Sequence, residues 1–483
     1  MGRWSKSTPA LALTMMAVLS GCMVGPKYVP PTVPMAKAPD TYKELDPNWK
    51  PAIPADVELK GDWWTIFNEP VLNELEAKIA LANQSLKVSE AQFREARAQI
   101  RINRANLYPT IGTSPSAVGE RYAADRPYFN AASSNNGEAD LQLPFDLNYE
   151  IDLWGRVRRT ISAAKEEAQA SAADLATARL SLETELAIDY FELRSADAQK
   201  KLLADTVTDY REALRITTNR FEGGISAISD VYQAQTQLQA ALVAESDIAV
   251  AREQYEHAIA VLIGRPPASF SLAETPLNAQ PPVIPTGLPS ELLERRPDIA
   301  AAERRANEAN ERIGIARAAF FPSLSLNAAV GFESKSIKSL FNASNFVYAL
   351  GPSLSQTFFD AGRRAAISEQ AYASFDEASA NFRQTSLNAY QQVEDNLTVL
   401  RVLSQESIQQ HQATVAARGA QEIFNNRYVG GIDTYLQVVT AQNAALANER
   451  NEIDIMRRRM DSSVLLIKAL GGGWNRSQLP KYR

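Results

Sequence analysis

Side chains able to do catalytic chemistry are few in this chain and stand apart. Two histidines, His257 and His411, lie on separate helical stretches with no acidic or sulfur cluster in the sequence around them. A metal or general-base role needs such a cluster within reach, so both read as ordinary helix residues. No nucleophile–base pair, phosphate-binding glycine loop or metal-ligand spacing occurs along the 483 residues. The reading is of a non-enzyme without a metal or diffusible cofactor. A net charge of −6, with no basic block, speaks against nucleic acid as a partner. Three features of another kind remain: one cysteine, a row of carboxylates at alternate positions, and charged and aromatic residues beside paired glycines.

The cysteine is Cys22. Arg3 and Lys6 form a basic start, and residues 10–19 form an apolar run too short to span a membrane as a helix. Leu19-Ser20-Gly21-Cys22 resembles a bacterial lipobox. Residues 1–21 would then be a signal peptide, removed before Cys22, and the thiol and new amino terminus would carry acyl chains. Two or more such chains anchor stably where one does not. The next residue is Met23 rather than the aspartate that retains many lipoproteins at the inner membrane, which favours the outer membrane. A plain signal peptide with a chance cysteine is the alternative.

The carboxylates belong to a period of two. Leu141, Leu143, Phe145, Leu147, Tyr149, Ile151 and Leu153 alternate with Asp140, Gln142, Pro144, Asp146, Asn148, Glu150 and Asp152. This predicts a strand with one oily face and one polar face carrying Asp146 and Glu150. A strand over 110–122 alternates poorly and is placed mostly by symmetry, with a loop over 123–137 between the two. Two more strands follow within 323–359. The first alternates Leu324, Leu326, Ala328, Val330 and Phe332 with small polar residues. The second uses Phe346, Tyr348, Leu350, Leu354 and Phe358 in the same way.

The paired glycines belong to an internal repeat. Gly155 and Gly362, and likewise Gly224 and Gly431, are 207 positions apart. The first unit, 71–264, reads as a helix over 71–107, the two strands, a long helix over 156–220 and a return helix over 226–263. The second, 298–470, repeats the plan, with a long helix over 363–427 and a return over 433–470. Each long helix ends in a turn: Arg220-Phe221-Glu222-Gly223-Gly224-Ile225, and Arg427-Tyr428-Val429-Gly430-Gly431-Ile432. At 1.5 Å per residue the long helices span roughly 98 Å, about the sum of the two shorter ones, so each long rod lies beside two short ones stacked end to end. Partial heptads, such as Leu175, Leu182, Leu186 and Leu193, suit coiled-coil packing. Pro-rich segments at 22–70 and 265–297 are tethers and connectors, and 471–483 is a polar tail.

Four strands are too few to close a membrane barrel, and an open sheet cannot cross a bilayer. Either the strands form a soluble sheet, or several chains share one barrel that the helices continue as a tube. The lipoprotein signal favours the shared barrel.

In this order, the motifs resemble the TolC-like outer membrane efflux family, in its lipoprotein branch, over nearly the whole mature chain. The resemblance rests on Gly25-Pro26-Lys27-Tyr28, Trp63-Trp64, Tyr108-Pro109 and Phe321-Pro322, Asp152-Leu153-Trp154-Gly155-Arg156, Asp360-Ala361-Gly362-Arg363, and both glycine turns. It implies an α+β membrane channel: a homotrimer with a twelve-stranded barrel, a periplasmic helical tunnel and an equatorial belt. It also implies docking, through a periplasmic adaptor, to an inner-membrane pump that drives efflux of toxic small compounds. Under that resemblance Arg220, Phe221, Gly223, Gly224, Arg427, Tyr428, Gly430 and Gly431 are adaptor-docking tips. Many relatives place acidic gate residues just past the second turn; aligned on Gly431, those positions are Gln437 and Thr440, a departure. Asp433 and, in the first repeat, Asp230 are the nearby acids. A conduit for type I protein secretion is the rival within the class. A periplasmic coiled-coil scaffold is the rival outside it.

Overall fold

The computed structural model describes residues 23–32, 42–44, 61–121, 123, 137–277, 280–284 and 291–482. Cys22, the signal segment and most of the 123–137 loop lie outside the described residues.

Helices α1 (Pro70–Ala82) and α2 (Gln84–Ala105) precede strands β1 (Thr110–Thr113), β2 (Ser116–Glu120) and β3 (Glu138–Ile151). Then come α3 (Arg156–Glu222) and α4 (Ile228–Leu262), a one-turn helix α5 (Leu292–Arg295), and α6 (Pro297–Ala318). Strands β4 (Ser323–Ser334) and β5 (Phe346–Ser355) are followed by α7 (Arg363–Val429) and α8 (Tyr435–Ala469). The repeat is visible in matched lengths: α3 and α7 each have 67 residues, and α4 and α8 each have 35. A 67-residue helix is about 100 Å long.

Two elements differ from the sequence reading. The helix expected over 71–107 breaks at Asn83, whose backbone turns extended at ψ 125°. Its buried side chain accepts from the Leu86 amide at 2.9 Å and donates to the Leu262 carbonyl at 2.8 Å. Asn83 thus caps α2 and ties the break to the end of α4. The strand expected over 110–122 is two pieces. Thr113 pairs with Phe145 and Ser116 with Gln142, so the register is continuous across the gap. The gap falls where Pro115, and Pro144 opposite Ser114, have no amide hydrogen to give the ladder. The last strand stops at Ser355, leaving Phe358 and Phe359 off the sheet and exposed.

The strands form one antiparallel sheet in the order β1/β2–β3–β4–β5. Among the helices, α3 packs against α2, α4, α6 and α8, while α7 packs mainly on α6 and α8. Consequently α3 buries 24 residues and α7 only ten. The core is a belt midway along the rods. Trp63, Phe67, Leu72 and Ile79 pack there on Leu186, Tyr190 and Phe191, joined by Val393, Met460 and Ile467.

Candidate functional site: a sheet with open edges above two helical tips

The sheet register sorts its residues by face. Leu143, Phe145, Leu147 and Tyr149 stand opposite Phe332, Val330, Ala328 and Leu326, which continue to Phe346, Tyr348, Leu350 and Pro352. This face is uncovered: Ile111 is 72% exposed, Tyr348 76%, Leu350 71% and Leu354 69%. A contiguous apolar face of this size marks a surface covered by lipid or protein. The other face carries Asp146 and Asn148 opposite Ala329 and Asn327, with Gly351 beyond. Among the described residues both outer strands, β1/β2 and β5, pair on one side only.

Asp146 and Glu150 share the polar face but not their surroundings. Asp146 is exposed. Glu150 is held by Arg156 in a two-point ion pair at 2.5 and 2.8 Å, so its charge is matched at the sheet–helix junction. Beside it, the Asp152 carboxylate accepts from the amides of Val157 and Arg158 at 3.2 and 3.0 Å and starts α3. Asp360 repeats this for α7, accepting from the Gly362 and Arg364 amides at 3.2 Å each. The tightly bound Arg364 guanidinium holds the Asp360 carboxyl below its ordinary range. Trp154 stacks on Phe321 at 4.7 Å and donates to the Pro322 carbonyl at 2.7 Å, which joins the two repeats at the junction.

The chain just after Cys22 is fixed at this same level. The Val24 amide donates to the Trp154 carbonyl at 3.1 Å, and Arg159 donates to the Pro26 carbonyl at 3.3 Å. From there the tether follows the rods away from the sheet: Tyr28 reaches the Glu303 carbonyl at 3.4 Å, and Arg383 donates to the Thr32 carbonyl at 3.0 Å.

At the far end the two turns lie side by side. Gly224 and Gly431 have φ of 72° and 74°, left-handed values that glycine adopts without strain. Arg220 crosses between the repeats, donating to the Tyr428 carbonyl at 2.9 Å and the Val429 carbonyl at 3.3 Å. Its guanidinium also lies 4.7 Å from the centre of the Tyr428 ring. A cation on the last carbonyls of a helix meets the negative end of the helix dipole. Tyr428 packs on Tyr435 at 5.3 Å, and burial raises both phenols above their ordinary range. Arg427 pairs with Asp433 at 2.6 Å. Phe221, Ile225, Val429 and Ile432 are exposed around this latch. Gln437 and Thr440 are exposed on one face of α8, and Asp230 is half-buried.

The outer membrane efflux protein model matches residues 77–265 and 288–472, one span for each repeat. The chain belongs to that family. Its members are outer membrane efflux channels, and this chain is one by sequence and by fold. The toluene efflux pump outer membrane protein TtgF of Pseudomonas putida is 31% identical over 477 residues, 97% of each chain. The pyoverdine export outer membrane protein OpmQ of Pseudomonas aeruginosa is 30% identical over 420 residues, 85% of this chain and 87% of that one. Among solved structures, the CmeC outer membrane channel of Campylobacter jejuni superposes with a TM-score of 0.85 at 25% identity, covering 95% and 96% of the two chains. The open state of the MtrE channel of Neisseria gonorrhoeae gives 0.80 at 26%, covering 94% and 99%.

Sequence reasoning singled out the efflux channel's tip residues but missed their pairing, since Arg220 and Tyr428 are 208 positions apart. It also missed the clamp at the belt. There Asp197 accepts from Arg194 at 3.1 Å and Arg252 at 2.8 Å, and Arg252 also pairs with Glu256 at 2.7 Å, all four residues buried. These groups hold the connector: Arg252 donates to the Leu272 carbonyl, Arg194 to the Ala273 carbonyl, and the Thr275 amide donates to Asp197.

Proposed function

We propose that three copies of this chain close one twelve-stranded barrel and serve as the exit duct of a tripartite pump for small toxic compounds. The observation that carries this is the single sheet with an uncovered apolar face and two open edges. Such an edge cannot stand in hydrocarbon, because its amides and carbonyls find no partners there. Pairing β5 of one copy with β1/β2 of the next removes every edge. The free side of α7 and the free side of α2 and α4 would meet across the same boundary and continue the barrel as a tube.

In this reading Cys22 carries the acyl chains. The bonds of Val24 and Pro26 at the sheet–helix junction support it, because they fix Val24, two residues on, at the level where the apolar face ends. Cargo of the toluene class follows from the names of the relatives. The glycine turns meet a periplasmic adaptor, whose pump supplies the energy. The gate departs from an acidic ring: Gln437 and Thr440 are neutral, and Asp433 is engaged by Arg427.

The test is crosslinking from the tip. Ile432 is 69% exposed at the second turn. With Cys22 acylated, Ile432→Cys has one free thiol, since the chain has no other cysteine. Crosslinking in cells is expected to capture a periplasmic adaptor from a heat-resistant trimer. A trimeric outer membrane protein that captures no adaptor would count against docking at this tip. A monomer would count against the shared barrel.

A further inference from the structure

The tether, the connector and the carboxy-terminal segment all bond to α3. Pro26 meets Arg159 there, Ala273 meets Arg194, and the Pro480 carbonyl accepts from Gln169 at 3.0 Å. A cavity of about 760 Å³ opens between α1, α3 and the carboxy-terminal segment Gly471, Gly472, Gly473 and Trp474. That volume is in the range of sites for drug-sized molecules.

The walls combine two chemistries. Trp64, Phe93 and Trp474 supply aromatic surface, and the backs of α1 and α3 supply alanines. Asp62, Glu76 and Glu183 stand in the same lining against one cation, Arg179. Glu76 is 1% exposed, and among the described residues neither of its carboxyl oxygens has a hydrogen-bond partner. Leaving a buried carboxyl unsatisfied costs stability and is rare in a group with a purely structural role. Among the described residues Glu183 has the Trp63 indole, at 3.3 Å, as its one hydrogen-bonded partner. Burial pushes Glu76 up to about 10 and Glu183 to about 7. Glu76 therefore holds its proton at neutral pH. A cation brought beside it would favour the ionised form and supply the missing donors.

We infer that this cavity is a binding site for a small amphiphilic amine, its ammonium directed at Glu76 and Glu183 and its apolar body against Trp64, Phe93 and Trp474. Among the described residues no group of three or more carboxylates, histidines or cysteines is placed to hold a metal ion, and the aromatic walls suit an organic cation. Aromatic faces attract such a cation and also bury its hydrocarbon.

The probe is 2-(1-naphthyl)ethylamine, titrated calorimetrically into the full-length channel in detergent, with 2-(1-naphthyl)ethanol as its uncharged counterpart. Saturable binding of the amine is expected, at least about tenfold tighter than the alcohol, a difference of about 1.4 kcal/mol. Glu76→Gln keeps the shape of the neutral acid but cannot ionise, and should weaken the amine at least about tenfold by the same measure. Ala176→Trp, which fills the cavity from α3, should do the same while the trimer stays intact on a gel. Equal affinity for amine and alcohol overturns the inference. So does amine binding unchanged in Ala176→Trp, or no saturable binding at all.

Discussion

At the scale of single residues, Arg220 and Glu150 show how placement changes the value of a charge. Arg220 joins the ends of two rods by hydrogen bonds to the carbonyls of Tyr428 and Val429 and by lying over a ring. Hydrogen bonds from a charged group are worth about 1.5–3 kcal/mol. Arg220→Ala should therefore loosen the tip, raising single-channel conductance and open probability in planar bilayers. Arg220→Lys, which has one donor centre in place of the planar fork, should fall between the two. On the sheet, Asp146 is the exposed carboxylate of the polar face, whereas Glu150 is already matched by Arg156. Reversal potentials should accordingly show a larger loss of cation preference in Asp146→Asn than in Glu150→Gln.

At the scale of elements, the belt is where rods, tether and connector are made one body. Asp197 is the centre of its clamp, with two arginines and a backbone amide on one carboxylate. Removing one partner of a buried ion pair leaves the others uncompensated and costs about 3–5 kcal/mol. Asp197→Ala should lower the thermal midpoint accordingly and expose the connector around Leu272 to limited proteolysis, while Asp197→Asn should lose less. The belt also sets a pH dependence. Glu183 has an ordinary value of 4.5, and burial raises it to about 7 in the fold. A carboxyl so raised binds its proton more tightly folded than unfolded. Its neutral form costs nothing below 4.5, and stability is lost as pH rises from there through about 7. Asp189, raised from 3.8 to about 7, acts in the same direction. The thermal midpoint should fall over this interval, and Glu183→Gln should flatten the fall.

At the scale of the whole molecule, the two faces of one sheet divide the solvent. The apolar face needs lipid and the polar face needs water, and neither condition is met by a chain alone. A cationic side chain costs about 2–4 kcal/mol at the midplane on the lipid side of a barrel and little on the lumen side. Leu350→Arg should then reduce the heat-resistant trimer in isolated outer membranes, whereas Asn327→Arg, on the opposite face, should assemble normally and shift ion selectivity. Equal assembly of the two variants would reverse the assignment of faces.

The sequence by itself determined the duplication, the strand faces and the turns. Period two in Leu141 to Ile151 and the 207-residue offset between glycine pairs are local or self-referential signals that need no third dimension. It also marked Tyr108-Pro109 and Phe321-Pro322, because proline ends helices wherever it falls. Three matters were decided only in the tertiary structure. Asn83 looks like any helix residue until the Leu262 carbonyl is placed against it. Pro115 and Pro144 interrupt a ladder only because the register sets Pro144 opposite the residue beside Pro115. Arg220 and Asp197 find partners on other rods, and Glu76 finds none among the described residues. The cause is common to all three. The face of a helix or strand repeats every few residues and is legible along the chain, but what it touches depends on which element packs alongside.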